Sequence, residues 1–592
     1  MSPAIDLIVG CGAWSLPLLI LPYVLADNPQ AGALAFSLLS VVVNGPHYMA
    51  TIYRAYRTRE DFARYRVRTL YCTLFLIAVL VAAHGFYGMV AWLMTIYLTW
   101  SPWHYMGQNF GLMLMFIHRN ELKIDRRDRN VLWISFVASY LLTFLFFHTG
   151  PSTTPFWISL GFPPSILDTL RIPLMLVFFA GAIPLAKLIR QAAKRKRARS
   201  VSPSGRSLNG SAQPEDAKRK RDSAQPQQWT PMLAPLTLYV TQFLWAVLPS
   251  ALVFLKGFGV PQVAYSVSML AVMHCAQYVW ITNYYARREA KAESTDWHWQ
   301  RYFAILVIGG VALFIPGPWL ASYVVGSDFA MSFMIFTAVI NIHHFVLDGA
   351  IWKLRDNRIR SLLTAADTAV PAAPVQASWI PAIPAGRPWR LVGATVAVVL
   401  MILTGIDRVR YYLGNRNDIP SMALAATMNP HDSEMQMRLG HAYESAGDRT
   451  RMEDSFREAV RANPGNVEGQ NAVAKVLLQT GRFDEGYAYF KQMFSRGNFD
   501  VESLANFGLL CKMLNRHDEA VTSFQRALDG DPNYAAVQLL LAQMLDADGK
   551  TSDAISHYER YVALTPTVPS EPANPELQNA IARIHLLSGG ER

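Results

Sequence analysis

The first 410 residues alternate between apolar runs of about twenty residues and short polar segments. Beyond residue 415 the runs disappear and apolar positions recur at helical spacing. A stretch of about twenty apolar residues is what a helix needs to cross roughly 30 Å of hydrocarbon. Eleven stretches qualify: 4–25, 31–53, 69–85, 87–117, 130–149, 168–186, 231–255, 260–285, 302–325, 329–352 and 391–407. Pro102 lies within the long fourth stretch and is expected to kink or break it. The first lacks the basic leader of a cleaved signal peptide. The expected fold is all-α: a polytopic membrane bundle of about eleven transmembrane helices, then a helical repeat domain.

The polar segments set an orientation. With a cytoplasmic N-terminus, the inside loops are 54–68, 118–129, 187–230, 286–301 and 353–390, which hold 6, 5, 12, 4 and 6 Lys and Arg residues. The outside loops and their flanks hold only Arg171 and Lys256. Basic residues accumulate on the cytoplasmic side, so an odd number of spans puts everything after residue 407 outside the cytoplasm. With no eukaryotic targeting sequence, the expected setting is a bacterial inner membrane. The segment 187–230 carries two KRKR runs among Ser, Pro and Gly. It reads as a disordered basic cytoplasmic loop, with anionic lipid headgroups as a possible contact. It separates the bundle into six spans (1–186) and five (231–410), with 411–592 as the last domain.

Composition agrees. Hydrophobic residues make up 52% and charged residues 16%, against about 25% charged in soluble proteins. The net charge of +11 conceals two regions: residues 411–592 hold 17 basic and 24 acidic residues, whereas the first 410 hold 37 and 19. The excess positive charge sits between spans, so it has a topological cause and does not indicate nucleic acid. Cys11, Cys72, Cys275 and Cys511 are far apart with no CxxC, which excludes a zinc ribbon or a disulfide framework.

The last domain has a period of 34 residues. Leu439, Gly440, Tyr443, Phe456, Ala459 and Pro464 recur 68 positions later as Phe507, Gly508, Cys511, Phe524, Ala527 and Pro532. Weaker copies contain Phe490, then Ala554, Tyr558 and Pro566. This pattern resembles the tetratricopeptide-repeat family. Four copies cover 433–568, with a truncated copy at 417–429 and a capping helix at 573–588. The resemblance implies a solenoid with a concave groove for a protein or peptide partner. In that register the groove includes Glu434, Met437, His441, Asn471, Lys475, Glu502 and Lys512, while Cys511 takes the family's Tyr position in the core.

Ionisable residues inside apolar spans are costly and therefore mark functional sites. Four spans carry histidines: His47, His104 with Gln108, His274 with Gln277, and the pair His343 and His344 with Asp348. All four spans run from outside to inside, and their histidines lie 7 to 15 residues before the first cytoplasmic basic residue, roughly 10–22 Å from the inner helix ends. They can therefore meet in one layer. Neutral imidazoles ligate iron, copper or zinc, and two opposed imidazoles ligate haem iron. Gln108, Gln277 and Asp348 would orient the rings. Tyr48, Tyr105, Tyr278 and Trp103 would line the site. His343 and His344 are adjacent and cannot both face one point from a regular helix.

Three functions remain open. The first is a metal- or haem-dependent oxidoreductase acting on a lipid-soluble substrate. The second is a non-enzymatic scaffold or transporter-like protein that assembles a complex through its repeats. The third is a polyprenyl-phosphate-sugar glycosyltransferase, which would need acidic residues in the first outside loop, where only Asp27 is present.

Overall fold

A computed structural model describes residues 3–15, 17, 38–152, 156–201, 231–252, 270–353, 356–364, 387–416, 418–495, 497, 499–565 and 574–589. Asp27, residues 16 and 18–25 of the first stretch, and residues 202–230 fall outside them. Among the described residues the chain is almost entirely helical, apart from one β-bridge between Thr149 and Phe162. It forms two compact units: Met1–Val325 with Met331–Arg416, and Gly326–Ala330 with Asn417–Arg592. The two halves of the expected bundle, 1–186 and 231–410, fall in the first unit apart from Gly326–Ala330.

In the first unit the helices are α1 (Gly45–Tyr56), α2 (Val67–Gly85), α3 (Gly88–Arg119), α4 (Arg126–Phe147), α5 (Pro164–Arg195), α6 (Leu233–Leu252), α7 (Leu270–Ala292), α8 (Trp299–Val325), α9 (Phe329–Ile351), the short α10 (Asn357–Thr364) and α11 (Leu391–Gly414). Among the described residues, seven helices (α2, α4, α5, α6, α8, α9 and α11) are long and apolar enough to cross a membrane by length and composition, rather than eleven. Three of the other four stretches correspond to α1, α3 and α7, of which α3 falls short through its polar side chains, while 31–53, 260–285 and the fourth, 4–25, lie only partly within the described residues. Pro102 does not interrupt α3, which runs for 32 residues. The basic segment expected to be disordered begins as helix, Ala182–Val201. Its first part is rich in Ala, Leu, Lys, Arg and Gln, all strong helix formers.

Close backbone approaches fix the helix positions. A Cβ on Gly310 of α8 would lie 2.3 Å from the carbonyl carbon of Gly45 at the start of α1, and one on Gly309 would lie 2.5 Å from Met49. A Cβ on Gly10 would lie 2.7 Å from the Trp280 ring of α7. The main core contains Met106, Met113, Phe136, Tyr278, Trp280 and Leu306. The perimeter is apolar as well: Val324 is 76% exposed and Leu391 71%.

The second unit holds antiparallel helix pairs. These are α12 (Ile419–Met428), α13 (Ser433–Ala446), α14 (Arg449–Ala462), α15 (Val467–Gln479), α16 (Phe483–Ser495), α17 (Val501–Met513), α18 (His517–Gly530), α19 (Ala535–Ala547), α20 (Thr551–Leu564) and α21 (Pro575–Ser588). The truncated copy and the capping helix are thus α12 and α21. Side chains of Asp418, Asp432, Asp448, Asn466 and Asp500 accept hydrogen bonds from first-turn backbone N–H groups, which satisfies donors left free at helix starts. Phe456 packs over Gly440 and Phe524 over Gly508, each where a Cβ would come within 2.6 Å of the ring. Within this unit Asp328 accepts from the Ser433 N–H at 3.1 Å and from its hydroxyl at 2.7 Å.

Candidate metal centre

Four helices deliver one histidine each to a common point: His47 from α1, His104 from α3, His274 from α7 and His344 from α9. One ring nitrogen of each lies within 4.8 Å of those of the other three. His47, His274 and His344 are at most 2% exposed. His47 sits in the first turn of α1, after Pro46, whose fixed φ suits a helix start.

His344 Nε2 lies 3.1 Å from His104 Nε2, while its Nδ1 lies 2.9 Å from the Thr51 hydroxyl. Thr51 and the Tyr278 hydroxyl both donate to Asp348 Oδ1, at 3.0 and 2.5 Å. Trp352 Nε1 donates to the Tyr278 oxygen at 2.8 Å. Asp348 Oδ2 lies 3.5 Å from His344 Nε2 and 3.7 Å from His104 Nε2. On the opposite side His47 Nδ1 meets the Cys275 thiol at 3.3 Å, and that thiol donates to Asn44 Oδ1 at 3.0 Å. His47 Nε2 and both nitrogens of His274 are buried without a hydrogen-bond partner among the described residues. Each such nitrogen costs about 1–3 kcal/mol, so this arrangement is unfavourable unless the nitrogens have a ligand.

The donor set fits a transition-metal ion. Imidazole nitrogens bind zinc at about 2.0–2.1 Å, which places donors around one ion roughly 3.3–4.2 Å apart. The ring centroids lie 4.1 Å (His47–His344), 4.8 Å (His104–His274), 4.9 Å (His104–His344) and 6.4 Å (His47–His104) apart. Asp348 and Thr51 are placed to orient His344, as second partners of metal ligands do.

The remaining expected residues are placed differently. His343 faces away from the cluster, as the one-residue offset requires, and its Nε2 meets the hydroxyls of Thr73 at 2.9 Å and Tyr56 at 3.2 Å. Gln108 and Gln277 do not orient the rings. Gln108 Nε2 donates to Gln277 Oε1 at 2.6 Å, and Gln277 Nε2 to the Gly10 carbonyl at 3.0 Å. Thr51, Cys275 and Asn44, and the polar role of Tyr278, were not anticipated. A signal for Thr51 and Tyr278 exists in the sequence, since each cluster histidine has a polar residue four positions later, namely Thr51, Gln108, Tyr278 and Asp348; Cys275 and Asn44 have none.

A cavity of about 370 Å³ adjoins the cluster, with His104, Tyr278 and Asp348 in its wall and Trp100, Trp103, Leu112, Met115, Ile281 and Phe345 giving it an apolar lining.

In the repeat unit, Glu434, His441, Lys475 and Glu502 are exposed, and Lys512 Nζ donates to Gln543 at 3.1 Å. Met437 and Asn471 are buried. Met437 packs at the Gly469 surface and Asn471 donates to Asp500.

The tetratricopeptide-repeat family matches residues 437–494 and 514–569, so this segment carries tetratricopeptide repeats. Similar solved structures include YrrB, a tetratricopeptide-repeat protein described as having an unusual peptide-binding site (13% identity, 29% of this chain and 85% of that chain, TM-score 0.26). PilF from Pseudomonas aeruginosa is 14% identical over 31% of this chain and 86% of its own, with TM-score 0.27. Yeast Tom70 is 12% identical over 72% and 94%, with TM-score 0.22. No curated protein matches the chain.

Proposed function

We propose that the first unit is a multi-pass membrane protein holding one iron, copper or zinc ion on His47, His104, His274 and His344, and that it works as an oxidoreductase on a lipid-soluble substrate. The observation carrying this reading is the convergence of four imidazoles, three of whose nitrogens are buried and unpartnered. A bound ion supplies Lewis-acid or one-electron chemistry next to the apolar cavity. The ring spacing favours a bare ion over haem. Tyr278 and Asp348, which share a hydrogen bond and face the cavity, hold a proton at its edge.

The apolar perimeter of α8 and α11 supports embedding in a bilayer. The positions of Lys and Arg support a bacterial inner membrane with a cytoplasmic N-terminus and periplasmic repeats, which recruit a protein or peptide partner. A second reading, a non-enzymatic scaffold, is supported by the fact that the repeats are the segment with a recognised family.

Elemental analysis and an absorption spectrum of the detergent-purified chain decide between them. Near-stoichiometric iron, copper or zinc supports the metalloenzyme. A metal-free protein that gains no thermal stability from any of these ions leaves the scaffold. A reporter fused after Arg592 and active only outside the cytoplasm supports the orientation.

A further inference from the structure

Two side-chain amides, Gln108 on α3 and Gln277 on α7, have their orientation fixed by a backbone acceptor. The Gly10 carbonyl can only accept, so Gln277 presents Nε2 to it at 3.0 Å and keeps Oε1 for its other contact. Gln108 gives its Nε2 to that Oε1 at 2.6 Å, and the same nitrogen lies 3.4 Å from a second pure acceptor, the His274 carbonyl. Turning either amide over would set oxygen against oxygen. Gln108 Oε1 is thereby committed to accepting, yet it is buried without a hydrogen-bond partner among the described residues. Gln108 also lines the cavity of about 370 Å³. Two donors in that wall are already committed, the Tyr278 hydroxyl to Asp348 at 2.5 Å and the Trp352 indole N–H to the Tyr278 oxygen at 2.8 Å. An unpaired buried acceptor is costly, and a molecule in the cavity that brings a donor removes the cost.

We propose that the cavity binds one uncharged, apolar molecule carrying a hydroxyl group, an alcohol or a phenol, and that this hydroxyl donates to Gln108 Oε1. Trp100, Trp103, Leu112, Met115, Ile281 and Phe345 receive the apolar body. The volume lies in the lower part of the roughly 300–1,000 Å³ range of small-molecule sites, which suits a single small ligand. A ketone, an ether or a carboxylate has no hydrogen to give and leaves Gln108 unpaired. Sites built around such a polar group discriminate strongly against analogues that lack its match. That this molecule is the substrate rests on the oxidoreductase reading above; that it binds does not.

The test is equilibrium dialysis of the full-length chain in a neutral sugar detergent, against micelle-only blanks, with 2-naphthol and its methyl ether 2-methoxynaphthalene, alongside metal content. One equivalent of 2-naphthol should bind, at least about fivefold more tightly than the ether. Gln108→Leu should bring 2-naphthol down to the affinity of the ether and leave the ether unchanged. A Cβ on Gly111, in the cavity wall, would have no atom within 4 Å, so Gly111→Phe puts a ring into the open space and should weaken both ligands about tenfold or more. The comparison of the two ligands on the wild type needs no variant, so it decides even where Gln108→Leu fails to fold. No binding of 2-naphthol overturns the proposal, as does equal affinity for the two ligands, which would mean that water satisfies Gln108. A preference that survives in Gln108→Leu, or binding unaffected by Gly111→Phe, overturns it too. A metal-free protein that keeps the preference refutes the metalloenzyme and leaves the ligand class standing, and a metal-loaded protein without the preference does the reverse.

Discussion

The Nε2 atoms of His104 and His344 lie 3.1 Å apart across 240 residues of sequence. A neutral imidazole has one N–H and one lone pair, and His344 Nδ1 already meets Thr51. If Nδ1 carries the proton, His344 Nε2 offers a lone pair at this point, which either a His104 Nε2–H or a cation shared by the two rings satisfies. Substituting His104, His274 or His344 with Ala should therefore reduce bound metal to background in the purified protein. His343→Ala, one residue away but hydrogen-bonded to Thr73 and Tyr56, should retain full occupancy. Loss of metal in His343→Ala, or retention in the other three, would remove the cluster as the site.

Asp348 acts on the site through other groups, since its Oδ1 collects the hydroxyls of Thr51 and Tyr278. Outer partners of metal ligands typically contribute 10- to 100-fold in affinity. Asp348→Asn and Thr51→Val should each weaken metal binding by about that factor in a chelator competition, with the spectrum of any remaining bound ion shifted. Unchanged affinity in both variants would mean that His344 is oriented by packing alone.

The contact between Gly45 and Gly310 sets the position of His47, because α1 approaches α8 backbone to backbone there. Gly310→Ala forces a shift of the main chain, and overpacking of this kind costs about 1–3 kcal/mol. A lower thermal midpoint and reduced metal content should appear together. Gly405→Ala on α11, where a Cβ meets nothing within 4 Å, should change neither.

The four histidines were recognisable in the sequence because each is a costly polar group in an apolar run at similar depth. Which member of the His343–His344 pair turns inward depends on the rotation of α9, and that is set by contacts with α1 and α3 that no local pattern records. The span count was harder to read for a related reason. Helices α1, α3 and α7 carry three of the four cluster histidines with hydroxyl, amide and thiol neighbours, and these lower the mean hydropathy of their described residues, whereas α9, which carries His344 and Asp348, stays apolar enough to qualify. Met437 and Asn471 match the family's groove register and are buried. The 34-residue period needed no tertiary information, and two periods apart it repeats the same glycine-under-phenylalanine contact.

That contact predicts a stability effect confined to the repeats. Phe524 is fully buried over Gly508, so Phe524→Ala should cost about 3–5 kcal/mol. Amide exchange across α17 and α18 should accelerate, while metal content remains at the wild-type level. Loss of metal on this substitution would show that the two units depend on each other for folding.

The last helix is held partly by charge, which gives a pH dependence with a definite sign. Arg583 on α21 donates to both oxygens of Asp546, through Nε at 2.5 Å and Nη2 at 2.9 Å. These hydrogen bonds hold the Asp546 carboxyl below the usual carboxylate range. A carboxyl depressed by folding contributes stability above its unfolded value, near 3.9, and loses it as pH falls through the lower folded value. Arg583 is 44% exposed, so solvent screening limits the pair to about 1 kcal/mol or less. At neutral pH, Arg583→Gln should reduce exchange protection of residues 575–588 by at most about fivefold relative to wild type. At pH 3 the two proteins should converge, because the wild type has begun to lose the same contribution, and added salt at neutral pH should narrow the gap in the same direction. A difference that stays constant from pH 7 to pH 3 would assign the effect to the packing of the Arg583 methylenes rather than to its charge.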